Sequence, residues 1–187
     1  VKSQPFTIVE PQIERLVDGC LSRLYRPVGR LQAIRPGDLL WVREPFHLPR
    51  EFEHKSPVQA ELRGARPTFV TDIEEPEPAP TLGRRRFAGE LLRVWHRQHL
   101  QVAYIGRAPL QSITIDEIKA QGFTHRTAFS RAWDKNLSLT KGDQLWEKNP
   151  EVLVIDFHLI AAPLPTPSAH SAGVRPSQPL AIAGARA

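Results

Sequence analysis

The chain has 187 residues, 41% hydrophobic and 24% charged, which is long enough for one domain with a full core and ordinary for a globular protein. Lys and Arg number 25 against 20 Asp and Glu, and the net charge of +5 allows an anionic partner without demanding one. A single cysteine, Cys20, excludes an intrachain disulfide and a cysteine-based zinc site, and no apolar run nears the roughly 18 residues that a membrane span needs. The first twenty residues, broken by Pro5, Glu10, Pro11 and Asp18, do not read as a signal peptide, so a cytoplasmic location is expected.

The apolar patch Phe6-Thr7-Ile8-Val9 predicts a first strand. Pro11 then opens a helical pattern with Ile13, Leu16 and Val17 on one face, and Gly19 suits its stop. Residues 20–26 read as a basic loop followed by Pro27 and Gly29. Arg23, Arg26, Arg30 and Arg35 have no acid between them, so they form an anion site if their guanidinium groups converge and a solvated loop if they do not. Pro36-Gly37-Asp38 is turn chemistry, and it feeds the apolar strand Leu39-Leu40-Trp41-Val42. That strand ends on Arg43-Glu44-Pro45, which places two charges at a rim, as part of a site or as a structural ion pair.

Residues 47–66 mix charges, prolines and histidines without a period and predict a long irregular connection rather than a second core. A short strand is expected over 67–71. The acidic, proline-rich stretch that begins at Asp72 reads as an exposed insertion over 72–82, and the charge reverses immediately after it in Arg84-Arg85-Arg86. Residues 90–105 carry a strand signal in Leu91, Leu92, Val94, Leu100, Val102, Tyr104 and Ile105. Arg93, Trp95, His96, Arg97 and His99 lie among them. Aromatic faces stack on unpaired bases while arginines hold phosphates, so this stretch reads either as a single-strand platform or as a core tryptophan beside a solvated face. His96 and His99, three apart, are expected on opposite faces of a strand with nothing to complete a ligand set, so no metal or other cofactor is expected.

Thr114 and Glu117 form a capping box that starts a short helix ending at Gly122. A second helix is predicted over 125–135 with Phe129, Ala132 and Trp133 on its apolar side. Asn149-Pro150 turns the chain into a closing strand over 152–160, with Asp156 and His158 on one face. The domain is expected to span 1–160, and the Ala-, Pro- and Ser-rich 161–187 reads as a tail outside the fold.

Several of these segments together carry a resemblance. They are Pro36-Gly-Asp-Leu-Leu-Trp-Val-Arg-Glu44, the Thr-x-x-Glu helix, the Trp133-Asp134 helix, and Trp146 followed by Asn149-Pro-x-Val-x-Val-x-Asp-Phe157. Over about residues 6–160 the chain resembles the ASCH domain family, most of all its bacterial and phage-borne branch. The resemblance implies a PUA-like α+β fold, a small, mostly antiparallel β-barrel with flanking short helices, whose cleft takes RNA or a modified nucleoside.

Amidohydrolase relatives carry Gly, any, Lys, any, any, Thr, any, Arg, with a glutamate at the end of the later short helix. Here Gly19 and Arg26 match, but Leu21 and Leu24 replace the lysine and threonine, and Gln121 stands in place of the glutamate. Leucine can neither attack a carbonyl nor move a proton, and glutamine is no carboxylate base. The expectation is therefore a binding domain for single-stranded RNA, a nucleotide or a modified nucleoside. In that cleft Arg23, Arg26 and Arg97 hold phosphates, Tyr25 or Trp95 stacks a base, and Glu44 with Gln121 reads a base edge, beside Arg43 and Arg93. One alternative is a hydrolase on RNA or a modified nucleoside with a rebuilt site, for which Glu44 is the candidate base, with His47 or His96, and Ser22 or Cys20 is the nucleophile. Another is a module that binds a protein partner through the acidic arm and the tail.

Overall fold

The computed structural model describes residues 2–74, 81–137 and 142–161. Its elements, in chain order, are β1 (Ser3–Thr7), α1 (Gln12–Val17), β2 (Arg23–Pro27), β3 (Leu39–Arg43), β4 (Phe46–Pro49), α2 (Pro57–Glu61), β5 (Thr68–Phe69), β6 (Leu82–Arg86), β7 (Gln98–Pro109), α3 (Ile115–Ala120), α4 (Arg126–Asn136) and β8 (Glu151–Ala161). A five-stranded sheet runs β1-β3-β7-β8-β2, and a three-stranded sheet runs β5-β4-β6. Among the described residues only the β1–β3 pair is parallel. The fold is mixed α and β and mostly antiparallel. The edge strands β1 and β2 of the large sheet do not pair, so that sheet is open rather than a closed barrel.

Local signals account for several elements. Gly19 takes φ +71° and stops α1, and Asn149 takes φ +46° in the left-handed turn before β8. The capping box at Thr114 is formed: its side chain accepts from the Glu117 N–H, and Glu117 reaches back to the Thr114 N–H. Strand β3 and the helices α3 and α4 lie where the sequence predicts them. Pro5 sits in β1, an edge strand, where a missing donor is tolerated.

Three buried clusters hold these elements together. The first, with Phe6, Ile13, Leu24, Leu40 and Ile155 among its members, lies against the large sheet. The second packs α3 and α4 through Ile118, Phe129 and Trp133 onto Val152 and Val154 of β8. The third gathers Phe46, Leu48, Phe69, Leu91 and Trp95 around the small sheet.

Other expectations are corrected. The first strand is Ser3–Thr7 rather than 6–9, because it takes its register from β3. Val17 is 39% exposed, while Ile13 and Leu16 carry the apolar face of α1. The supposed basic loop contains β2, which pairs with β8 from Arg23 opposite Asp156 to Pro27 opposite Val152. The supposed irregular connection holds β4, α2 and part of a further core. Ala88–Glu90 and Arg93–Trp95 form 3-10 turns, and the strand begins only at Gln98. Of the acidic insertion, 75–80 lies outside the described residues, as does the tail 162–187. Among the described residues no helix is long and apolar enough to cross a membrane.

Candidate functional site

The arginines named from sequence separate into three environments. Arg97, at the approach to β7, is fully engaged. Its Nε and Nη2 donate to the two carboxylate oxygens of Glu44 at 2.8 Å each, Nη2 also reaches the Thr71 hydroxyl at 2.7 Å, and Nη1 meets both oxygens of Asp72 at 2.8 Å. The guanidinium also lies over the Phe69 ring, 4.0 Å from its centroid. Burial opposes the charge of Arg97, but the Glu44 and Asp72 carboxylates outweigh burial and raise its pKa. Glu44 is 1% exposed. The rim pair is thus structural, and Glu44 joins Arg97 rather than its neighbour Arg43. Both donors and acceptors are committed, so neither phosphate holding by Arg97 nor base chemistry by Glu44 is open in this arrangement.

The second environment surrounds Arg23. It donates to both oxygens of Asp156, at 2.6 and 2.9 Å, and to Glu117 at 2.7 Å, and these carboxylates raise its pKa. Burial, with a bond to the Glu117 carboxylate, pushes the Tyr25 hydroxyl up to about 12. Burial works against ionisation of Glu117, yet its bonds from Thr114, Arg23 and Tyr25 prevail and hold its pKa at about 2. Because this pKa is depressed in the folded state, the stabilisation is complete above the ordinary value near 4.5 and is lost as pH falls towards about 2. Acid titration followed by circular dichroism is expected to show this loss across that window, and Glu117→Gln is expected to flatten it. Ser22, Arg23, Tyr104, Glu117, Asp156 and His158 border a cavity of about 580 Å³ here, in which Arg23 carries no free charge.

Arg26 is the exception. One Nη donates to the Tyr25 carbonyl at 3.0 Å and the other to Gln12 Oε1 at 3.1 Å, and the guanidinium stands 5.0 Å from the centroid of the Phe6 ring. No carboxylate pairs with it among the described residues. Burial lowers its pKa to about 10, which leaves it cationic at neutral pH. It lines a cavity of about 320 Å³ together with Glu10, Gln12, Tyr25, Phe129 and Trp133. Strand β2 supplies Arg26, the first turn of α1 supplies Gln12, and the apolar face of α4 supplies the aromatic walls.

The remaining residues take other roles. Tyr25 is 4% and Trp95 6% exposed; both are core residues, and the Trp95 ring packs edge-on against Phe46 at 5.9 Å. Arg43 stacks on Trp41 at 4.9 Å, and Arg93 is exposed. Arg43, Glu44, Arg93, Trp95 and Arg97 line neither cavity. Gln121 is 1% exposed at the end of α3; its Oε1 accepts from Gln12 at 2.7 Å, and its Nε2 has no partner among the described residues. Leu21 and Leu24 point into the first core cluster. His47 is buried with its Nδ1 on the Gly83 carbonyl at 2.8 Å, and the Cys20 thiol points back to the Asp18 carbonyl at 3.6 Å. His96 and His99 do not face apart: their Nε2 atoms are 3.1 Å from each other, because His96 precedes the strand and its ring turns back. Burial, then the charges of His96 and Arg93, lowers the pKa of His99. Among the described residues no group of three or more His, Cys, Asp or Glu side chains could hold a metal ion.

Sequence reasoning placed Phe129 and Trp133 on a helix face but missed Glu10 and Gln12 as cavity residues. The only local sign was a polar pair flanking Pro11 at a helix start. What makes them part of a site is the approach of β2 and α4, which begin eleven or more residues further along the chain. No protein-family model, no curated protein and no solved structure matches the chain.

Proposed function

We propose that the chain is an RNA- or nucleotide-binding domain of the PUA-like, ASCH type, and that its ligand enters the cavity between α1, β2 and α4. One observation carries this reading. Arg26 is a half-buried cation with no carboxylate partner among the described residues, in a cavity walled by aromatic rings. Taking a charge out of water without a partner is costly, and its spare N–H groups are satisfied by acceptor atoms that a ligand brings. Aromatic walls beside a cation match a flat base with acceptor atoms on its edge or with a phosphate. The positions of the amidohydrolase lysine and threonine are filled by core leucines, which favours binding over amide hydrolysis through those positions.

The test is calorimetric titration of the full chain with nucleoside monophosphates and with a short single-stranded RNA, across a salt series. Arg26→Gln is expected to weaken binding about 10- to 100-fold, the loss of one charge-assisted hydrogen bond worth about 1.5–3 kcal/mol. Equal affinity of variant and wild type would overturn the site. RNA that is cleaved during the titration would move a hydrolase reading ahead of this one.

A further inference from the structure

Resting on that reading, we propose that the same cavity selects guanine, with Glu10 as the residue that determines specificity. Glu10 lines the cavity beside Arg26 and Gln12, just ahead of α1. Its carboxylate also meets Arg85 of β6, which does not line the cavity: Nη2 lies 2.6 Å from both oxygens, an exposed contact between the small sheet and the start of α1. A carboxylate has about four lone-pair sites. After Arg85 is served, one acceptor remains on each oxygen.

The cavity thus offers two adjacent acceptors on Glu10 and unused donors on Arg26. Guanine is the base that answers both. Its N1–H and 2-amino group form an adjacent donor pair on one edge, and O6 and N7 form the acceptor pair that arginine takes bidentately. Adenine, cytosine and uracil each offer the carboxylate a single donor group. The buried rings of Phe129 and Trp133 form part of the cavity wall, and about 320 Å³ stands near the small end of the roughly 300–1,000 Å³ usual for small-molecule sites. That volume suits one base rather than a stacked run, so an RNA would present a single extruded guanine.

The deciding comparison is guanosine monophosphate against inosine monophosphate, titrated calorimetrically into the full chain. Inosine keeps O6, N7 and N1–H and lacks only the 2-amino group. The expected result is about tenfold tighter binding of the guanosine form, with adenosine, cytidine and uridine monophosphates weaker still. Glu10→Gln, which turns one acceptor into a donor, is expected to erase the guanosine-to-inosine gap. Equal affinity for the two, or a gap that survives Glu10→Gln, would overturn guanine selection while nucleotide binding still stood. Failure of every monophosphate to bind would overturn guanine selection, and failure of the single-stranded RNA as well would overturn both. The wild-type ratio needs no variant, so a poorly folding Glu10→Gln protein would not shield the proposal.

Discussion

Arg97→Ala is expected to cost about 3–5 kcal/mol of folding stability, the range for breaking a buried ion pair by deleting one partner. Almost all of that cost comes from what is left behind. Glu44 is 1% exposed, and without Arg97 its carboxylate retains, among the described residues, only the Thr71 hydroxyl at 3.5 Å. The variant must then bury an uncompensated charge, protonate it, or open the region where β3 passes into β4. Asp72 and the face of Phe69 lose their partner in the same step. A paired replacement, Glu44→Leu with Arg97→Met, is expected to regain most of the loss, because it removes the desolvation cost together with the attraction. Urea unfolding of the single and double variants measures both effects. A loss below about 1 kcal/mol for Arg97→Ala would show that the cluster is not structural and would reopen it as a ligand site.

Arg86→Ala is expected to be comparably damaging, at about 3–5 kcal/mol, for a different reason. Arg86 is 3% exposed at the end of β6. Its Nη2 serves the carbonyls of Phe52, Glu53 and Lys55 at 3.3, 3.0 and 2.7 Å, and its Nη1 meets Glu90 at 3.1 Å. Those carbonyls belong to the turn that leads into α2, a segment with no strand partner to satisfy them. Alanine would take the donor from the Glu53 and Lys55 carbonyls, while the Phe52 carbonyl keeps the Lys55 N–H at 3.0 Å, and would open a void where the arginine stem had packed. Arg86→Lys is expected to recover only part, since an ammonium has three donors but no planar fork. Chemical denaturation gives the magnitude. Hydrogen exchange is expected to rise first over residues 52–61, and uniform exchange across the chain would contradict this local role.

These two arginines show why charge runs in the sequence were poor guides to a site. In Arg84-Arg85-Arg86 the three look alike as letters, yet Arg86 is buried scaffolding, Arg85 holds Glu10, and Arg84 is exposed. Charge and the family resemblance make Arg23 and Arg97 candidate phosphate holders, but acids 25 to 133 residues distant already neutralise them. Arg26 stands in the same basic stretch as Arg23, and what sets it apart is that no acid among the described residues pairs with it. Trp95, read as either a stacking platform or a core residue, is decided by its place in the third cluster with Phe46 and Leu91.

What the sequence by itself determined is the part of the fold written in short-range physics. A turn at Pro36-Gly37-Asp38 feeding β3, the Thr114 capping box, the apolar face of α4 and the long apolar β8 each depend on residues within a few positions of one another. Hydrogen bonds and steric limits at that range act the same way in any tertiary setting. The tertiary structure alone decided the strand status of the basic stretch 23–27, the added core around the small sheet, and the pairing of each charge. Those outcomes depend on which distant segment comes alongside: β8 beside β2, Glu44 beneath Arg97, and α4 over Arg26. Electrostatic partners are chosen through space, and the spacing of residues along the chain carries no record of that choice.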